Sequence, residues 1–179
     1  LAATDHAKRM NETRQESFDL AGMKAMLGMP IMDGRKAWET EQSLINTRDL
    51  LLRCGAKFDW AELPFCSEIA MARNKIVAGF LRSPHTHLMM IDSDMGWDAR
   101  DVARLCAWRR DFVAAAGPKK TFPMSYCFNI TEHGQPPRTV EIEAGTGLME
   151  VDQVGGAFIL LSRAMLERMG NAYPELTYE

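Results

Sequence analysis

At 179 residues, with 46% hydrophobic and 25% charged content, the chain is long enough to bury a sizeable core and too apolar for intrinsic disorder. Its net charge of −3 and pI near 5.9 exert no general pull on nucleic acid or an anionic membrane, although Arg109, Arg110, Lys119 and Lys120 form a local basic cluster able to meet phosphate. Cys54, Cys66, Cys106 and Cys127 make no C-x-x-C pair, no apolar run approaches the ~20 residues of a membrane span, and no signal peptide is read. Reduced thiols in a soluble, cytoplasmic protein are therefore expected.

Residues 1–22 are polar with scattered apolar positions and read as an N-terminal helical arm, with 23–179 as a single domain. The apolar run Met26 to Met32 stops at the turn signal Asp33-Gly34 and predicts a first strand. Thr40 to Arg53 carries apolar residues at Leu44, Ile45, Leu51 and Leu52, one helical face, and Gly55 stands where a C-terminal cap belongs. Phe58 to Cys66 reads as a second strand, and Ser67 as the N-cap of a helix from Glu68 to Arg82. Ile69, Ile76, Val77 and Phe80 define that helix's apolar face, and Arg73 projects only about 40° from Ile69, inside the stripe. A guanidinium there either snorkels out or meets a carboxylate or a phosphate.

Leu88 to Ile91 reads as a buried strand that ends at Asp92-Ser93-Asp94. Asp98 and Asp101, three apart, resemble a capping arrangement for a helix whose inner face holds Val102, Leu105 and Cys106. Phe112 to Ala116 predicts another short strand. This alternation of strands and helices points to an α/β fold with a mainly parallel, doubly wound sheet flanked by helices. From Phe122 to Val154 the texture changes to short β-prone pieces, Met124 to Ile130, Thr139 to Ile142 and Leu148 to Val151, which read as a β-hairpin insertion. Gly155-Gly156 then precedes the strand Ala157 to Leu161, Ser162 caps a helix through Met169, and Gly170 ends it.

The acidic strand end is the chemically loaded feature. Carboxylates one residue apart, where the chain leaves the pleat, can both turn toward a divalent cation. A haloacid-dehalogenase-type phosphatase uses such a pair as nucleophile and acid, but its motif sits on the first strand and continues with Thr or Val where this chain has Gly96. A non-catalytic nucleotide-binding module is the other alternative. His85-x-His87 reads as a pair of surface and edge residues rather than a metal pair. Trp97 either stacks on a sugar or anchors its loop.

Ala72-Arg73-Asn74, Phe80-Leu81, His87 to Trp97 and Gly155 to Arg163 together resemble nucleotide-sugar glycosyltransferases of the GT-A fold, nearest to small bacterial and phage-type, family 2-like members. The resemblance spans residues 26 to about 178. It implies a metal-dependent transferase that takes a nucleoside diphosphate sugar, commonly a UDP-sugar, and passes the sugar to a glycan, protein or other acceptor. It implies that Pro30, Ile31, Met32 and Asp33 contact the nucleoside. Ser67, Arg73, Asp92, Ser93, Gly155 and Gly156 would complete the donor site, and Asp92 and Asp94 would hold Mn²⁺ or Mg²⁺. Members of the group carry a catalytic base and a further metal ligand beyond the Gly-Gly strand and its helix. Here only Asp152, Glu175 and Glu179 lie near that region, none in a matching motif, so no base is assigned and a C-terminally truncated chain is expected.

Overall fold

The computed structural model describes residues 17–119, 123, 126–129 and 148–176. In chain order these form β1 (Lys24–Ile31), α1 (Trp38–Arg53), β2 (Lys57–Pro64), α2 (Ile69–Leu81), β3 (His87–Ile91), α3 (Ala99–Ala107), β4 (Phe112–Ala114), β5 (Phe128–Asn129), β6 (Gln153–Val154), β7 (Phe158–Ser162) and α4 (Arg163–Ala172), then a 3₁₀ turn at Pro174–Leu176. Five strands make an open sheet in the order β2-β1-β3-β7-β4, and β5 pairs with β6 in a separate two-stranded piece.

The α/β class and the flanking helices agree with expectation, but the sheet is mixed. β1 pairs in parallel with both β2 and β3, whereas β7 runs antiparallel to both β3 and β4. β4 therefore points the same way as β3, and β7 alone is reversed. Hydrophobic patterning does not disclose this, since a central strand buried on both faces reads alike in either direction.

Period-two alternation sorts the core into two layers. Ala25, Leu27, Met29 and Ile31 of β1 and Met89 and Ile91 of β3 join Leu44 and Leu51 of α1 and Val102 and Leu105 of α3. Met26, Leu88 and Met90 face the other side, with Ile76 and Phe80 of α2 and Leu166 of α4. A methyl group added at Gly28 would lie 2.3 Å from Ile76 Cγ2, so α2 crosses β1 at a distance only glycine permits. No helix of the described residues is long and apolar enough to cross a membrane.

Several local expectations are corrected. Leu20 is fully buried and its N–H bonds the carbonyl of Cys54, but residues 17–22 are otherwise mostly exposed and form irregular chain with a turn at Ala21–Gly22 rather than a helical arm. Residues 1–16 lie outside the described part. Ser67 does not cap α2: the N-cap position belongs to Glu68, which makes no side-chain cap bond. Leu148 to Val151 is not a strand; the pairing falls at Gln153–Val154, against Phe128–Asn129. Thr139 to Ile142 lies outside the described residues. Gly170 does not end α4, which runs on to Ala172 after Ser162 caps it by accepting from the Met165 N–H.

The first helix shows the most instructive difference. Leu44 and Leu51 are buried as expected, but Ile45 and Leu52 are 37% and 51% exposed. The inward stripe is completed by Thr40, Ser43 and Thr47, all buried.

Candidate functional site

The parallel strands β1, β2 and β3 all deliver their C-terminal ends to one edge of the sheet, where ligands of open α/β sheets commonly bind. The loop after β3 is held there almost entirely through its backbone. Thr40 Oγ1 donates to the carbonyls of Ser93, at 2.9 Å, and Met95, at 2.7 Å. The Ala37 N–H also bonds the Ser93 carbonyl, at 3.0 Å. Ser43 Oγ donates to the Trp97 carbonyl and accepts from the Trp97 N–H, both at 2.9 Å. Trp97 Nε1 donates to Thr47 Oγ1 at 2.8 Å, and its ring meets Phe158 edge-on, with centroids 5.9 Å apart. Trp97 is thus the loop's anchor.

These hydroxyls recur at i, i+3 and i+7 and form a polar ladder down one helix face. They pin the acidic loop through its backbone carbonyls and the Trp97 N–H. An apolar-only periodicity count passes over the ladder. A signal was present, because three β-hydroxyl residues at helical spacing are costly to bury unless each finds a partner.

Arg73 projects from α2 toward this edge, as its place in the apolar stripe indicated. Its Nη2 donates to Asp92 Oδ1 at 2.8 Å, with both side chains about two-thirds or more shielded from solvent. The Asp92 N–H bonds the Ala157 carbonyl, which ties the strand end to the start of β7. A methyl group added at Gly156 would lie 2.7 Å from Arg73 Nη1, so the guanidinium rests against bare backbone. Among the described residues the buried Arg73 Nε has no hydrogen-bond partner. Gly155 is set by a different contact: its N–H bonds the Cys127 carbonyl at 2.7 Å, and a methyl group there would meet Cys127 Cβ at 2.9 Å.

The expected site residues divide accordingly. Arg73, Asp92 and Gly156 converge, whereas Ser93, next in the chain after Asp92, has its carbonyl bonded to Thr40 and Ala37 instead. Asp94 is exposed one residue further along the same loop. Pro30 and Ile31 are buried at the end of β1, whereas Met32 and Asp33 are exposed in the following turn, where Asp33 Oδ1 accepts from the Arg35 N–H. Ser67 is exposed between β2 and α2, with no hydrogen bond to the converging group among the described residues. Asp152 and Glu175 are exposed; Glu179 and Lys120 lie outside the described residues.

Nearby charged groups serve as structural supports. Asp98 caps α3 by accepting from the Arg100 N–H, and its bond to the Arg100 side chain, followed by this backbone bond, holds its carboxyl below the usual range. Asp101 pairs with Arg104 rather than closing a capping box. Cys106 is buried within the core, which pushes its thiol up to about 12 and leaves it inert at neutral pH. His85 and His87 lie at the opposite end of the sheet. His85 contacts Asp59 and Ser83, and His87 contacts Thr86, so the two do not form a metal pair.

Among the described residues no group of three His, Cys, Asp or Glu side chains is placed to hold a metal ion. Two carboxylates, Asp92 and Asp94, would at most serve a hard cation that keeps several waters and arrives with phosphate oxygens, not one caged by protein. A groove of about 1060 Å³ lies elsewhere, between α3, β4 and residues 148–154, lined by Leu105, Trp108, Val113 and Val151 among others. Of the expected residues it includes only Asp152, and its size alone carries less weight than the convergent polar groups at the acidic edge. Set against models of known protein families and against curated proteins, the chain matches none.

Proposed function

We propose that this chain is a GT-A-like, metal-dependent glycosyltransferase domain that binds a nucleoside diphosphate sugar, with UDP-sugars the first donors to test, and transfers the sugar to a glycan, protein or other acceptor. The observation that carries the reading is the Arg73–Asp92 pair, 2.8 Å apart at the end of β3, packed against the side-chain-free Gly156 with Asp94 exposed beside it.

The chemistry follows from charge. As the glycosidic bond breaks, the diphosphate leaving group gains negative charge, which Mn²⁺ or Mg²⁺ bound by Asp92 and Asp94 would neutralise. Arg73 fixes one Asp92 oxygen, so that carboxylate is oriented before any ligand arrives. Thr40 and Ser43 hold the loop backbone in one conformation and spend none of its charge. Gly156, with no side chain, lets the Arg73 guanidinium lie against its backbone. The Arg73 bond also weighs against a phosphatase in which Asp92 is a nucleophile, because ion pairing lowers the carboxylate's readiness to attack.

The test is a thermal-shift panel of nucleotides and nucleotide sugars, with and without Mn²⁺, followed by a search for nucleoside diphosphate release. Ligand bound only by the native state raises the melting temperature. The reading expects shifts that require metal, and release of nucleoside diphosphate. Metal-dependent binding without release would identify a binding module. Absence of any nucleotide shift with metal present would remove the proposal.

A further inference from the structure

A second feature stands on the same edge of the sheet, at the end of β2. Phe65 has φ of +58°, a left-handed conformation in which a bulky residue is a genuine outlier. It is nevertheless 79% exposed, so burial of the ring does not offset the strain. Its N–H bonds the Ile31 carbonyl at 2.9 Å, tying it to the end of β1. The outer part of its ring lies over Gly34, itself at φ of +77°, where an added methyl group would come within 2.7 Å of two ring carbons. One strained residue, with a glycine turn beneath it, thus holds an aromatic ring out in solvent. Residues held in sparsely populated conformations cluster at ligand sites.

We propose that Phe65 is a stacking platform for the base of the nucleotide, which makes it a determinant of donor selection. This rests on the glycosyltransferase reading and deepens it. Position supports it: β2 and β3 flank β1 and β2 runs two residues further, so their ends stand about 12 Å apart at ordinary strand spacing and rise. That separation suits a nucleotide lying across the strand ends, with its diphosphate at Asp92 and Asp94 and its base at Phe65. Every base has a π-face, so a single ring provides affinity across bases and grades them by stacking strength.

The experiment compares UDP and ADP with inorganic pyrophosphate, all with Mn²⁺, by titration calorimetry on the intact chain. In the wild type the nucleoside diphosphates bind more tightly than pyrophosphate. Phe65→Ala loses about tenfold or more of that advantage, while pyrophosphate affinity stays unchanged; Phe65→Trp keeps the advantage. Phe65→Gly, which suits the left-handed backbone, melts no lower than wild type and loses the same base-dependent advantage. An unchanged advantage in Phe65→Ala overturns the platform. So does an equal loss for pyrophosphate, or a Phe65→Gly protein that melts well below wild type, since either makes the ring a structural prop. If pyrophosphate binds with metal but bases add nothing, the platform alone fails. If none of the three binds, both this inference and the glycosyltransferase reading fail.

Discussion

The two ends of β3 are built in opposite ways. At its N-terminal end the chain from α2 into β3 is fastened by one charged side chain. Arg163 donates to the carbonyls of His85, Leu81, Phe80 and Ser83 at 2.6–3.1 Å, and its guanidinium lies 4.7 Å from the centre of the Phe80 ring. At the C-terminal end the loop is fastened by neutral hydroxyls of Thr40 and Ser43, and by Trp97 on Thr47. One end uses a charge to hold backbone; the other holds its loop backbone with neutral hydroxyls, while its acidic side chains are Asp92, paired to Arg73, and the exposed Asp94. The difference separates charge used for stability from charge kept for chemistry, a distinction that a count of ionisable residues misses.

Arg163→Met gives the largest expected loss of stability. It strips hydrogen bonds from several carbonyls at the end of α2 and removes the contact with Phe80, at a cost of about 3 kcal/mol, or roughly 6–12 °C in melting temperature for a chain of this size. Mn²⁺-dependent nucleotide binding in the surviving folded protein should be unchanged. A protein that melts normally but no longer binds would reverse the assignment of the two ends.

Thr40→Val should have a smaller effect on stability and a larger one on the site. Removal of a buried hydroxyl that serves two loop carbonyls costs about 1–2 kcal/mol at nearly constant shape. Loosening the loop should also weaken Mn²⁺-dependent nucleotide binding by more than Arg163→Met does. Thermal melts with paired titrations check both halves. Equal binding losses in the two variants would erase the contrast.

The pH response should be smaller still, and should belong to the structural end near neutrality. Burial, then the positive charge of Arg109, lowers the His87 pKa below its ordinary 6.5, while Asp111 pulls the other way. Between that lowered value and 6.5 the unfolded chain binds more protons than the folded one. Stability contributed by neutral His87 is therefore present above 6.5 and lost as pH falls through this window, levelling off below the lowered value. Asp98 and Asp111 have carboxyls below the ordinary 3.8, so their contribution is present above 3.8 and fades at more acid pH. Denaturant melts from about pH 7.5 to about 5.5 should show the first loss in wild type and a flatter profile in His87→Gln. Matching profiles would show that another group titrates there.

Much of this contrast was legible in the sequence on one side only. The strand-end acids, the arginine inside an apolar stripe and the Ser162 cap follow from spacing, because each is a local pattern with a local partner rule. The Thr40, Ser43 and Thr47 ladder was not read, since its partners are carbonyls about 50 residues away and its members look like ordinary polar helix surface. Ser67 shows the converse: a residue type suited to capping, overruled when the helix begins one residue further on and leaves the N-cap to Glu68. The reversal of β7 was equally hidden, because direction is decided by the connection and not by the strand's own residues. Phe65 carries no signal in its type, and its importance appears only with its backbone angle.

The central claim is that the acidic edge keeps Asp94 for a metal that binds together with a diphosphate. Titration calorimetry of UDP in the presence and absence of Mn²⁺, on wild type and on Asp94→Asn, tests it most directly. Thermal melts of both proteins check that any change in binding is not a change in folding. The account predicts that wild type binds UDP with Mn²⁺ and far more weakly without it, and that Asp94→Asn loses the metal-dependent part. Binding that is equal with and without metal, or that survives intact in Asp94→Asn, would contradict it.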